Sequence, residues 1–141
     1  MTLDLETLVL DIAHECSIES TAHLLNIDWH TCHRIQQRAV ERGLSRKPHA
    51  IPERIGVDEK SFARGHKYET VVYNLDKSTV EYVGDNREQT SLEQYYKRFS
   101  PEERSQVKAV AMDMWDPFIA ATKAFIPQAE KKIVFDRFHV M

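Results

Sequence analysis

Arg54-Ile55-Gly56-Val57-Asp58-Glu59-Lys60-Ser61-Phe62 is the stretch that decides how the rest of the chain reads. Ile55 and Val57 alternate as a strand does, and Gly56 leaves room for another backbone to come close. Pro48 and Pro52 close off the segment ahead of it. The strand is expected over residues 55–58 and finishes on an acid. A carboxylate at the end of a half-buried strand is costly unless it is partnered, and a metal ion is one such partner.

Working outward, residues 68–75 alternate as a second strand, Asp76-Lys77-Ser78 reads as a turn, and residues 79–83 complete a hairpin. Residues 91–99 place Leu92, Tyr95, Tyr96 and Phe99 on one side of a helix, and Ser100-Pro101-Glu102-Glu103 is a fresh helix start or turn. Residues 107–113 are the most strand-like run and again finish on an acid, Asp113. Pro117 opens the next helix, with Phe118, Ala121 and Phe125 as its inner face. Residues 131–135 make a further strand, running into Asp136-Arg137-Phe138-His139-Val140. The order is strand, strand, strand, helix, strand, helix, strand. A meander followed by a right-handed helical crossover brings the fourth strand back parallel to the first. Asp58 and Asp113 then share one edge of the sheet, where a divalent cation relieves their repulsion. Their hard oxygen donors suit Mg²⁺ or Mn²⁺, and a two-ion site of this kind serves phosphodiester chemistry. Each aspartate also has a plainer reading: Asp113 or Asp116 as a cap for the helix at Pro117.

Residues 1–47 follow a different rule. Leu5, Leu8 and Ile12 make a helical face. Ser17 and Ser20 are N-cap candidates for a second helix, and Asn26-Ile27-Asp28 is a turn that caps a third. That third helix is expected from Trp29 to Arg42, with Cys32, Ile35 and Ala39 inward and Gly43 as its stop. Helix, short turn, helix is the helix-turn-helix plan. Arg34, Arg38 and Arg42 recur every four residues as one stripe, continued by Arg46 and Lys47. His30, Thr31 and His33 occupy the first turn, where base edges are met if the helix enters a major groove. A three-helix bundle with a solvated arginine face is the bland alternative. The linker spans residues 48–54.

The totals agree with an ordinary globular chain: 141 residues, 42% apolar, 29% charged, net charge −3. The average hides an asymmetry. The first 28 residues carry six acids and no Lys or Arg, whereas residues 29–50 carry Arg34, Arg38, Arg42, Arg46 and Lys47 against Glu41. Local charge of this kind matters more for a polyanion than the total does. Two cysteines without a CxxC pattern argue against a disulfide framework. No run approaches the roughly 20 apolar residues of a membrane span, and the acidic N-terminus is no secretory signal. A reducing compartment, the cytoplasm, is expected.

Three motifs in this order, Ile55-Gly56-Val57-Asp58-Glu59, Asp113-Met114-Trp115-Asp116-Pro117-Phe118 and Asp136-Arg137-Phe138-His139-Val140, resemble bacterial insertion-sequence transposases of the ISL3 family. The resemblance covers the whole chain. It implies a helix-turn-helix domain over residues 1–47 and an incomplete RNase H-like domain of the DDE type over residues 55–141, an α+β or α/β mixed sheet. It implies divalent-metal-dependent cleavage and strand transfer of double-stranded DNA at transposon ends. By position, Asp58 resembles the first acid and Asp113 the second. Asp136 and His139 form a D-x-x-H pattern similar to a C/D-x-x-H signature of hAT and Mutator-like transposases, read here as a support for the site or the DNA. The family's third acid, a later glutamate, has no counterpart before Met141. The chain is therefore expected to be the N-terminal part of such an enzyme, to bind DNA weakly, to cut it poorly or not at all, and to self-associate through an exposed sheet edge. A non-enzymatic helix-turn-helix regulator is the alternative.

Overall fold

The computed structural model describes residues 2–136, which divide between His49 and Ala50 into two compact units. Arg137 and His139 lie outside the described residues.

The first unit is three helices, α1 (Leu3–Glu15), α2 (Ile18–Leu25) and α3 (Trp29–Arg46). Each start is fixed by a side chain that satisfies an orphan amide. Thr2 accepts from Leu5 N–H, Ser17 from Ser20 N–H and Asp28 from Thr31 N–H. Asn26 ends α2 in the left-handed conformation, φ 50°. Val9, Ala22, Cys32 and Ile35 form the core, with Leu5, Leu10, Ile18, Leu25 and Ile27 around it.

Two expectations need correction here. The inner face of α1 centres on Val9, flanked by half-buried Leu5 and Ile12, while Leu8 is 46% exposed. Leu5–Leu8–Ile12 and Leu5–Val9–Ile12 satisfy helical spacing equally well, and packing against the other helices chooses between them. Nor does Gly43 stop α3, which continues to Arg46. Gly43 has no positive φ, so it supplies no left-handed cap. The helix ends instead at Lys47, extended at φ −67°, ψ 127°, because a residue before proline, here Pro48, is disfavoured in the α region.

The second unit is a five-stranded mixed sheet in the order β3-β2-β1-β4-β5. Its strands are β1 (Arg54–Ala63), β2 (Lys67–Asn74), β3 (Thr79–Asp85), β4 (Ala109–Met112) and β5 (Ile133–Phe135). The connecting helices are α4 (Gln89–Tyr96), α5 (Pro101–Ser105), α6 (Asp116–Phe125) and α7 (Ala129–Lys132). β1, β2 and β3 form an antiparallel meander; β4 returns parallel to β1, and β5 parallel to β4. This is the strand and helix order of a partial RNase H-like fold. The β2–β3 turn is closed by Asn74, whose Oδ1 accepts from the amides of Asp76 and Lys77, and by Ser78 at φ 54°. α5 begins with a capping box between Ser100 and Glu103 around Pro101. Residues 129–132, ahead of the last strand, are helical.

One face of the sheet is covered. Ile55, Val57, Val72, Val110 and Met112 pack beneath Leu92, Tyr95, Tyr96 and Phe99 from α4 and its end, and beneath Phe118 and Ala121 from α6. Phe125 is half-buried at the rim, and Thr122 completes the α6 face by bonding the Tyr96 hydroxyl at 3.0 Å. Gly84 permits the approach of α4: a Cβ there would meet Ser91 Oγ at 2.3 Å and the Tyr82 ring at 2.7 Å.

Candidate functional site

β1 does not end at Asp58. It runs on to Ala63 because its pairing with β2 continues through Asp58↔Val71 and beyond. What ends at that point is the parallel pairing with β4, whose last partners are Val57↔Met112. β4 and β5 end in the same register, Met112↔Phe135. Val57, Met112 and Phe135 therefore stand in one row across three parallel strands, and Asp58, Asp113 and Asp136 are each the next residue. The amide of Asp136 donates to the Met112 carbonyl at 3.1 Å, which holds Asp136 against the end of β4.

Side chains alternate across a strand, so the three aspartates leave the face opposite buried Val57 and Met112. They open onto a groove of about 640 Å³ floored by Gly56, Tyr73, Ala111 and Val134. Gly56 keeps the floor low, though for a different neighbour than a backbone: a Cβ there would meet Leu75 Cδ2 at 2.8 Å. The amide of Glu59 donates to Asp58 Oδ1 at 2.8 Å and that of Met114 to Asp113 Oδ1 at 2.7 Å. A carboxylate offers about four acceptor positions, so each bond orients its group without exhausting it. Lys60 Nζ stands 3.8 Å from Asp58 Oδ2, with both side chains about half exposed.

The donor set is all hard oxygen. Adjacent strands are about 5 Å apart, so the backbones that carry Asp58 and Asp113 are immediate neighbours, whereas that of Asp136 is about 10 Å from Asp58 across β4. In keeping with this, no group of three His, Cys, Asp or Glu among the described residues converges closely enough to hold a metal. Two carboxylates are nonetheless a fitting set for Mg²⁺, which commonly takes one or two protein carboxylates and completes its shell with waters and substrate phosphates.

On the covered side, at the same end of the sheet, sits a group that sequence reasoning missed. The Arg87 guanidinium lies 4.4 Å from the centre of the Tyr68 ring and 4.9 Å from that of Trp115. It also meets Glu59 Oε2 at 3.5 Å. Glu59 turns away from Asp58, as alternation requires. Trp115 packs half-buried against the core, and its Nε1–H donates to the Arg87 carbonyl at 3.1 Å. Asp116 is the first residue of α6 rather than a cap, because Trp115 holds the cap position.

In the helical unit, Thr31, Arg34, Gln37, Arg38 and Glu41 line a shallow depression along α3. The arginine stripe is not uniform. Arg34 and Arg38 are exposed, with Arg34 donating to the Thr31 hydroxyl at 3.3 Å. Arg42 is ion-paired to Glu6 of α1, and Arg46 Nε folds back onto the Arg42 carbonyl at 3.1 Å. Lys47 follows the helix as its C-cap. His30 and His33 are exposed and gathered by Trp29, stacked on His33 at 5.0 Å and edge-on to His30 at 5.3 Å.

A family model described as "Transposase" matches residues 55–141, and one described as "Helix-turn-helix domain of transposase family ISL3" matches residues 1–40. The transposase for insertion sequence element IS1001 of Bordetella parapertussis is 27% identical over 125 residues, 89% of this chain and 30% of that protein. The transposase for IS1557 of Mycobacterium tuberculosis is 28% identical over 133 residues, 92% of this chain and 29% of that protein. The chain thus spans about three-tenths of the length of these relatives. No described helix is long and apolar enough to cross a membrane. With a matching model over each unit, the chain belongs to the transposase family ISL3.

Proposed function

We propose that this chain recognises double-stranded DNA at transposon ends through α3 and contributes two acids, Asp58 and Asp113, to a divalent-metal centre that cuts and rejoins that DNA. The observation that carries the reading is the shared register of β1 and β4, which leaves the two carboxylates as neighbours over one open groove. Mg²⁺ or Mn²⁺ held there would polarise a phosphodiester and activate a water or a 3′-hydroxyl. The protein's own part is to keep the two acids oriented through the amides of Glu59 and Met114. Asp136 supports the site from the neighbouring strand, together with His139 beyond the described residues. Arg34 and Arg38 meet phosphates directly, Arg42, Arg46 and Lys47 add positive potential along the same helix, and His30, Thr31 and His33 face base edges. Self-association and a nucleoid-bound location in the bacterial cytoplasm belong to the same reading.

The test is Mn²⁺ binding followed by electron paramagnetic resonance, with DNA carrying a transposon end present throughout. The unsubstituted chain is expected to hold Mn²⁺, and the Asp58→Asn/Asp113→Asn double variant to lose it while DNA affinity is unchanged. Equal Mn²⁺ retention by both proteins would sink the metal-centre assignment.

A further inference from the structure

Beside the row of acids, on the helix-covered side of the sheet, a second cavity of about 360 Å³ is lined by His66, Tyr68, Asn86, Arg87, Gln89 and Trp115. Its walls are unusually flat. His66 stacks on Tyr68 at 6.3 Å with an interplanar angle of 27°, and Arg87 bridges from Tyr68 to Trp115. The volume is at the low end of the roughly 300–1,000 Å³ of small-molecule clefts, room for one planar group and not for a duplex. Charge narrows the choice further. Arg87 is already met by Glu59 at 3.5 Å, and Glu88 places a carboxylate in the lining itself. A phosphate would enter against two negative groups; a neutral ring would not. Stacking is what the ring faces supply; the edge groups are already engaged, since Gln89 Nε2 donates to Glu93 Oε1 at 2.7 Å and Asn86 Oδ1 accepts from the Glu88 amide at 2.8 Å.

The cavity is tied to the acids through the backbone. Glu59 directly follows Asp58, and the Trp115 amide donates to the Asp113 carbonyl at 2.8 Å. We infer that this cavity receives one unpaired nucleobase of the DNA strand handled at Asp58 and Asp113. The inference rests on the DNA-cutting reading above and adds a base-holding site to it. Stacking on aromatic and guanidinium planes tolerates any base, so the cavity senses that a base is unpaired and does not read which base it is.

The experiment compares two oligonucleotides in EDTA, one with 2-aminopurine in a short unpaired tail and one with it paired in a blunt duplex. The unsubstituted chain is expected to bind the tailed DNA about tenfold more tightly, the scale of one base stacked on an aromatic ring, and to quench the tail fluorophore. Trp115→Ala should lose both the preference and the quenching while blunt-duplex affinity holds; Trp115→Phe should keep most of the preference. Should Trp115→Ala not fold, His66→Ala at the exposed hairpin carries the test and must lower the preference about twofold or more. An unchanged preference in these variants, or no quenching in the unsubstituted chain, overturns the inference. Duplex binding without any preference for the tail overturns this inference alone. Tail preference without Mn²⁺ binding upholds it and removes the metal centre. Failure to bind either DNA removes both.

Discussion

In the helical unit, Arg34 and Arg38 share a surface because four residues separate them on one helix. In the sheet unit, Asp58 and Asp113 share a groove although two strands and two helices intervene between β1 and β4. The first arrangement survives any change that leaves α3 helical. The second exists only while β4 returns to β1 in the register Val57↔Met112. The two units teach the difference between chemistry carried by period and chemistry carried by pairing. The covered face of the sheet, with Phe118 and Tyr96 fully buried, is what maintains that pairing.

The harshest way to break the comparison is Phe118→Ala. The loss should be about 3–5 kcal/mol, the usual cost of emptying a buried phenylalanine site, and it should erase the near-ultraviolet signal of the buried tyrosines. Helical circular dichroism from α1 to α3 persisting after that loss would sharpen the contrast. Its loss at the same midpoint would break it.

Arg34→Ala with Arg38→Ala comes next. If both touch phosphates, binding weakens evenly across DNA sequences, and the slope of log affinity against log salt falls by about two. An unchanged slope would mean that the exposed stripe is merely solvated.

Two neighbouring tyrosines then separate packing from hydrogen bonding. Tyr96→Phe leaves the buried Thr122 hydroxyl without its 3.0 Å partner and should cost about 1–3 kcal/mol in urea unfolding. The buried Tyr95 hydroxyl has no hydrogen-bond partner among the described residues, so Tyr95→Phe should be neutral or slightly stabilising. Burial raises both phenols above the ordinary tyrosine range, and the charge of Glu81 adds to the rise at Tyr95. The folded state therefore keeps protons that the unfolded chain releases above about pH 10. Stability is fully present below that pH and falls as pH climbs through it. Of the five tyrosines, the buried pair should ionise only together with unfolding in an alkaline titration; ionisation of all five ahead of unfolding would contradict the burial.

Arg42→Ala should do least. Its ion pair with Glu6 is partly exposed, so about 0.2–1 kcal/mol is at stake. A salt slope reduced as much as by Arg34→Ala would show that Arg42 swings away from α1 to meet DNA.

Much of this molecule was legible residue by residue. Ser17, Asp28 and Ser100 cap helices where their side chains suggest, Asn26 turns the chain, and Asp76-Lys77-Ser78 closes a hairpin. The strand order and the motifs around Asp58 and Asp113 were legible too. Where reading failed, two local choices were equally good or a distant partner decided. Leu8 and Val9 both fit the α1 face, and only packing buries Val9. β1 outlasts Asp58 because β2 continues to pair with it. Arg87 gave no signal at all, because Tyr68, Trp115 and Glu59 lie far from it along the chain.

What the amino-acid order determined alone is therefore whatever operates within about four residues: caps, turns, helix faces, the arginine spacing and the alternation of strands. Tertiary structure alone decided that Arg42 is spent on Glu6, that Asp136 joins the row of Asp58 and Asp113, and that a cationic plane sits between two rings beside them. The physical reason is range. A capping bond is made by residues that the chain already holds together, whereas a register or a stack is chosen by the packing of surfaces that meet only when the whole sheet forms.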